Sequence, residues 1–360
     1  MNTTGPICIL FASFMMGCAA TDAPTRTQLS LDERWAQGLS LDTGLAGTLV
    51  VLNKAEASAS LIDGDTGREV TKTLTGTGPH EVAVSPDGLT AVVANYGTLE
   101  PGHTLTVIDI PLGRIRATID LKKYHRPHGI QFLPDGKRVV VTAEVEHAVI
   151  IVDIESQVVE KEIWTGQDVS HMLVLSPSAD RIYVTSIGSG SLTIIDSGRR
   201  EVITTIQTGP GAEGLDISPD GGEVWVANRQ VGTLSIIDTQ TLEIVATMPC
   251  PDFPLRVKFT PDGAHVLVSA AHAGTVRVFD VGTRAQIKQI SMETKGADDE
   301  RGEGPVPIGI QIEPAGRYAF IANAYADDVA VLDLATWKIH GRLTAGKEPD
   351  GLGYSTHVAE

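Results

Sequence analysis

Three histidines stand at one position of a recurring pattern. His80, His128 and His171 each lie six residues before a turn proline, at Pro86, Pro134 and Pro177. The same position holds Glu213 ahead of Pro219, Leu255 ahead of Pro261 and Ile308 ahead of Pro314, and Asp350 takes it in the last segment. The chain has ten histidines, so three in one register concentrate metal-ligating chemistry. Neutral imidazole binds copper, zinc, iron and nickel, and three histidines with an open position form a catalytic pattern. These three are the candidate metal ligands, with Glu213 as a fourth ligand or a general base. The bland alternative is a polar ring holding ordered water.

The elements that position them repeat. Turns of Pro-Asp-Gly type recur at Pro86-Asp87-Gly88, Pro134-Asp135-Gly136, Pro177-Ser178-Ala179, Pro219-Asp220-Gly221, Pro261-Asp262-Gly263 and Pro314-Ala315-Gly316. An Asp closes an apolar run at Asp63, Asp109, Asp153, Asp196, Asp238, Asp280 and Asp333, mostly at spacings of 42–46 residues, with a last gap of 53. Each unit reads as four short β-rich runs and none shows helical periodicity. Four-stranded units at this period are propeller blades. The expected fold is all-β, a seven-bladed β-propeller with four antiparallel strands per blade. The first unit, Thr48 to Gly76, lacks an inner strand, and Glu348 to Tyr354 matches one with no blade after it. The C-terminal strand is therefore expected to close blade 1 and remove the exposed sheet edges.

In such a ring the innermost strands line a central channel. The residues six before each turn surround its mouth, and the loops after the second strands share that face. Those loops carry Lys54, Tyr96, Glu144, His147, Arg229, His272 and Tyr325. Glu213, His272, Tyr96 and Arg229 are the candidate catalytic residues. Two inserts reach the same face, Leu99 to His103 and Ser291 to Pro307, and His125 lies just before His128. Long loops on one face of a repeat scaffold usually bind. The acidic stretch Asp298 to Arg301 reads as a solvated loop. Gly209 to Gly214 fits G-x-G-x-x-G but precedes a strand, so it is no dinucleotide site. Asp63-Gly64-Asp65 fails the calcium-loop spacing, and no C-x-x-C-H, H-E-x-x-H or G-x-S-x-G occurs.

Composition narrows the partners. The net charge is −17, which excludes a nucleic-acid partner, since phosphate binding needs a basic face. Ile7 to Gly17 is an apolar run of signal-peptide length, too short to span a bilayer. The expected organisation is a signal peptide over 1–17, a tether over 18–42 and the propeller over 43–360. Met16-Gly17-Cys18-Ala19-Ala20 resembles a bacterial lipobox, which implies lipidation at Cys18; cleavage after Ala20 is the alternative. Cys250 is then the remaining thiol, read as a buried small hydrophobe.

The units Ser85-Pro86-Asp87-Gly88 with Ala91-Val92-Val93-Ala94-Asn95, and Ser218-Pro219-Asp220-Gly221 with Val224-Trp225-Val226-Ala227-Asn228, resemble the YVTN-type β-propeller repeat. The resemblance covers nearly all of residues 45–357. Similar propellers include surface proteins, lactonases, the amine dehydrogenase β subunit and the propeller domains of nitrous-oxide and haem-d1 nitrite reductases. The apolar leader and the lipobox-like segment imply an envelope protein on the periplasmic side, expected to be a monomer held to the membrane by its lipid anchor only. The leading expectation is transition-metal binding, copper ahead of zinc or iron, with oxidoreductase chemistry. The nitrous-oxide enzyme's further histidines and copper domain are missing from this sequence, so its reaction is not carried over. The alternatives are a non-catalytic binding module and a lactonase-like hydrolase using a divalent metal. The top face would take a small-molecule substrate or an envelope protein.

Overall fold

The computed structural model describes residues 41–293 and 304–360. The signal peptide, Cys18, most of the tether and the stretch from Asp298 to Arg301 lie outside the described residues.

Seven four-stranded antiparallel sheets form a seven-bladed β-propeller. In blade 1, Pro349–Ser355 is the inner strand beside Thr48–Asn53, Ser58–Asp63 and Glu69–Leu74. Its register against the second strand includes Val50↔Gly353 and Val51↔Leu352. Side chains lock the seam: Ser355 donates to Gly88 O at 2.6 Å, and the Ala359 N–H donates to Thr48 Oγ1 at 2.8 Å. Among the described residues the helical elements are two 3₁₀ turns, Lys54–Glu56 and Ala271–Ala273.

The strand period of two explains the core. Val139, Val141 and Ala143 pack against Leu105, Val107 and Ile119 of blade 2. Val140, between them, faces the other way and meets Ile182 and Val184 of blade 4. Successive side chains point to opposite faces, so every central strand serves two interfaces. Among the described residues seven apolar clusters result, one per junction, including blade 7 with blade 1 and blade 1 with blade 2. Leu41 already belongs to the junction of blades 7 and 1, buried and with its N–H on Thr66 O at 3.1 Å. Part of the expected tether thus docks on the propeller.

The recurring Asp residues do local work. Asp87 accepts from Ser85 Oγ at 2.6 Å and from the Leu89 N–H at 3.0 Å, while Gly88 takes φ +76°. Asp238 accepts from the Gln240 and Thr241 N–H groups at 2.9 and 2.7 Å. Both are Asp-capped turns, a structural use of the side chain.

Candidate metal centre

The inner strands lose register against their second strands at one level. The breaks fall between Pro79 and Glu81, Pro127 and Ile130, Ser170 and Leu173, Ala212 and Leu215, Pro254 and Val257, and Pro307 and Ile310. A bulge re-aims side chains and ends pairing. His80, His128, His171 and Glu213 all sit inside these breaks. The next residue in each blade, starting from blade 1, is Gly351, Glu81, Gly129, Met172, Gly214, Arg256 and Gly309. Crowding accounts for the glycines. A Cβ on Gly214 would lie 1.9 Å from Leu255 O, and one on Gly129 2.7 Å from His171 O.

His171 is the hub of the mouth. Its Nδ1 lies 2.5 Å from Glu144 Oε1 and its Nε2 3.2 Å from Glu213 Oε1. Ionised carboxylates only accept, so both ring nitrogens donate and the ring is an imidazolium. Burial opposes that charge, but Glu213 and Glu144 outweigh it and push the His171 pKa up to about 9. Burial also works against the Glu213 carboxylate, yet His171, Arg256 and Arg229 bring it down to about 2. Glu144 Oε2 accepts from the Tyr96 hydroxyl at 2.7 Å. Burial and Glu144 together hold the Tyr96 pKa above its usual value. Arg229 donates to Glu213 Oε2. Arg256 spans the channel, donating to Glu81 of blade 2 and lying 3.4 Å from Glu213 Oε1 of blade 5.

His128 stands against this charged hub with no hydrogen bond at its buried Nδ1. Its ring lies 3.7 Å from His171, centroid to centroid, 5.2 Å from His80 and 5.4 Å from Tyr96. Burial, and then the positive charge of His171, hold it well below the usual imidazole pKa, so it is neutral. His80 is also shifted down, chiefly by burial, against the pull of Asp350. His80 Nδ1 lies 3.0 Å from Gly78 O and its Nε2 3.9 Å from Asp350 Oδ2. Lys54 approaches the same Asp350 oxygen at 3.7 Å, while Asp350 Oδ1 is buried without a partner. Donor atoms of His128, Glu144 and His171 lie within 4.8 Å of one another, close enough to share one ion.

The three register histidines thus stand side by side, with His80 the most exposed and edge-on to His128. Tyr96 touches His80 and His128, and Glu213 and Arg229 join through His171. His272 stands apart, stacked on Phe253 at 4.4 Å, with the Arg229 guanidinium over the same Phe253 ring at 5.2 Å. Register counting placed Leu255 in the ring, whereas it is the following Arg256 that crosses the channel. Glu81 escaped the count in the same way, because each bulge offers two consecutive positions. Below Arg256 the channel encloses a cavity of about 210 Å³ lined by Glu81, Gln131, Asp216, Lys258 and Gln311 among others.

Fold and site together define a seven-bladed propeller whose repeats are of YVTN-like kind and whose channel mouth holds a buried His/Glu cluster. The Cytochrome D1 heme domain model matches residues 135–350, and the chain belongs to that family. A YNCE-like beta-propeller model matches residues 33–203. Among solved structures, the chain is similar to Kuenenia stuttgartiensis hydrazine synthase, at 21% identity and a TM-score of 0.67, covering 78% of this chain and 91% of that one. It is also similar to a functionally unknown protein from Desulfotomaculum acetoxidans DSM 771, at 17% identity and a TM-score of 0.70, covering 87% of this chain and 100% of that one. These likenesses show the fold. No curated protein matches the sequence.

Proposed function

We propose that this chain binds a transition-metal ion at the channel mouth and uses it in oxidoreductase chemistry. His128, His171 and Glu144 are the inner donors and His80 flanks them. The observation that supports this is the buried grouping of those three donors within 4.8 Å, with His128 Nδ1 unpartnered. Ligation through His171 displaces its proton, so uptake releases protons to solvent. Copper is the first choice because nitrogen donors favour it over the other divalent ions. Tyr96, Glu213 and Arg229 surround the ion as proton-handling and charge-balancing groups. The protein acts on the periplasmic side of the envelope, exported and anchored through Cys18 as a monomer, with a small-molecule substrate or an envelope protein on the mouth face.

The family's name brings a haem into question. A haem iron takes an axial histidine, and neutral His128 has the right chemistry. A macrocycle also needs an apolar cleft. Around His128 stand His80, Tyr96, His171 and the charged side chains of Glu144 and Glu213, a polar and crowded lining in place of an apolar cleft. The described residues suit a bare ion and do not fit a macrocycle.

A second reading has its own support. Glu81, Glu144, Glu213 and Asp350 face Lys54, Arg229, Arg256 and protonated His171, a balance that needs no ion and suits a non-catalytic binding module. Metal counting separates the two. Tag-free wild type, His128→Ala and His265→Ala are loaded with copper or zinc, passed over a chelating column and assayed for metal per chain. His265, at the other end of its blade beside Trp337, is the control. His128→Ala is expected to hold one ion per chain fewer than wild type and His265→Ala. Equal counts in wild type and His128→Ala give the mouth to the second reading.

A further inference from the structure

His103 and His125 form a second constellation on the insert loops, and the chemistry above does not use it. His103 lies on Pro101–Asp109 and His125 in the link between Arg114–Asp120 and Pro127–Phe132. Backbone contacts hold the two segments together. The Leu121 N–H donates to His103 O, and the Arg126 N–H to Gly102 O, both at 2.8 Å. The ring centroids are 6.0 Å apart.

Each ring is braced by a carboxylate at the same nitrogen. His103 Nδ1 lies 3.1 Å from Asp120 Oδ1. His125 Nδ1 lies 2.9 Å from Glu146 Oε1, and the His125 N–H donates to Glu146 Oε2 at 2.7 Å. The other oxygen of Asp120 accepts from Lys122 Nζ at 2.7 Å. A carboxylate acceptor makes Nδ1 the donor, which leaves the lone pair of a neutral ring on Nε2. That is the outer-sphere arrangement by which proteins fix the tautomer of metal-bound histidine, and here it occurs twice. Two imidazoles sharing an ion through N–metal bonds of about 2.0–2.1 Å have centroids about 5–6 Å apart. The observed separation suits that span. Both rings remain partly exposed, so an ion reaches them from solvent and water completes its shell.

We propose that His103 and His125 bind one borderline divalent ion, zinc or copper(II), through their Nε2 atoms, oriented by Asp120 and Glu146. This site is separate from the buried grouping around His128 and does not depend on it. The test is equilibrium dialysis of tag-free protein against zinc chloride, and separately against copper chloride, with binding isotherms for five proteins. These are wild type, His103→Gln, His125→Gln, Glu146→Gln and His128→Ala. His103→Gln and His125→Gln should each weaken one binding event at least tenfold. Glu146→Gln should weaken the same event by about 10–100-fold, the usual effect of losing an outer-sphere partner. His128→Ala should leave it intact, so failure of the buried site and failure of this one read out separately. All four substitutions are checked by circular dichroism, and paramagnetic broadening of the His103 and His125 ring protons by copper in wild type reports the site without mutation. Equal isotherms for wild type, His103→Gln and His125→Gln, or copper broadening that spares both rings, overturn the proposal.

Discussion

The His171 clamp makes a quantitative prediction about the metal-free protein. His171 titrates at 6.5 when free and at about 9 in the fold, because Glu213 and Glu144 outweigh the burial of its charge. Below 6.5 both folded and unfolded chains carry the proton, and the clamp's contribution is complete. Between 6.5 and 9 the unfolded chain releases its proton while the folded chain keeps it, so stability falls with rising pH. Above 9 the contribution is gone. A displacement from 6.5 to about 9 corresponds to about 3 kcal/mol. His128 and His80 act with the opposite sign, since the fold keeps both neutral. Below 6.5 the unfolded chain takes up protons that the folded chain refuses, and stability falls again. The mouth therefore gives maximum stability near pH 6.5. The assay is urea unfolding of chelator-treated protein across this range, with nitrogen NMR of the His171 ring as a direct reading of its charge. The expected result is an alkaline limb of about 3 kcal/mol and an imidazolium that persists past pH 8. A flat alkaline limb, or a neutral His171 ring near pH 7.5, refutes the clamp.

Arg256→Met leaves Glu81 and Glu213 facing each other across the channel without their shared cation, and unfolding free energy should drop by about 3–5 kcal/mol, with part of the loss recovered in the double variant with Glu81→Gln. Deleting residues 347–360 removes the inner strand of blade 1 and bares the Thr48–Asn53 edge; thermal melting by circular dichroism should lose its cooperative transition, and an unchanged melt would refute the closure argument. Cys18→Ser should move the protein from the membrane fraction into the soluble exported fraction, as read by cell fractionation, whereas unaltered membrane association would assign the anchor elsewhere.

The ring and its closure were legible because each blade repeats the same instructions. A proline turn with an Asp acceptor, a β-branched run and a closing Asp recur at a nearly constant spacing, and the unmatched segment from Glu348 to Tyr354 has one free place to go. The juxtaposition of His80, His128 and His171 follows from the same count, since equal register on neighbouring blades means proximity in space. What the count does not carry is partnership. That Glu144 and Glu213 take both nitrogens of His171, and leave His128 without a partner, depends on side-chain reach between three blades. Arg256 was missed for a different reason. A strand period of two assigns one inward position per blade, and a bulge supplies two consecutive ones.

That second position also explains why the site is lopsided. Glycine alternates there with a larger residue from Gly351 through Glu81, Gly129, Met172, Gly214 and Arg256 to Gly309. The alternation is steric, since a Cβ on the glycine would meet the backbone of the next blade, as at Gly309, where it would lie 2.0 Å from Asp350 O. Seven is odd, so the pattern cannot close, and Gly309 and Gly351 fall on adjacent blades. The large side chains are left at blades 2, 4 and 6, and two of them, Glu81 and Arg256, pair across the channel. With Arg256 drawn towards Glu81 and Glu213, the cationic charge of the floor is tied to carboxylates. His128, on a blade where this second position is Gly129, is left as the neutral and unpartnered donor of the ring. The asymmetry that singles out one imidazole thus follows from packing seven identical scaffolds around one axis.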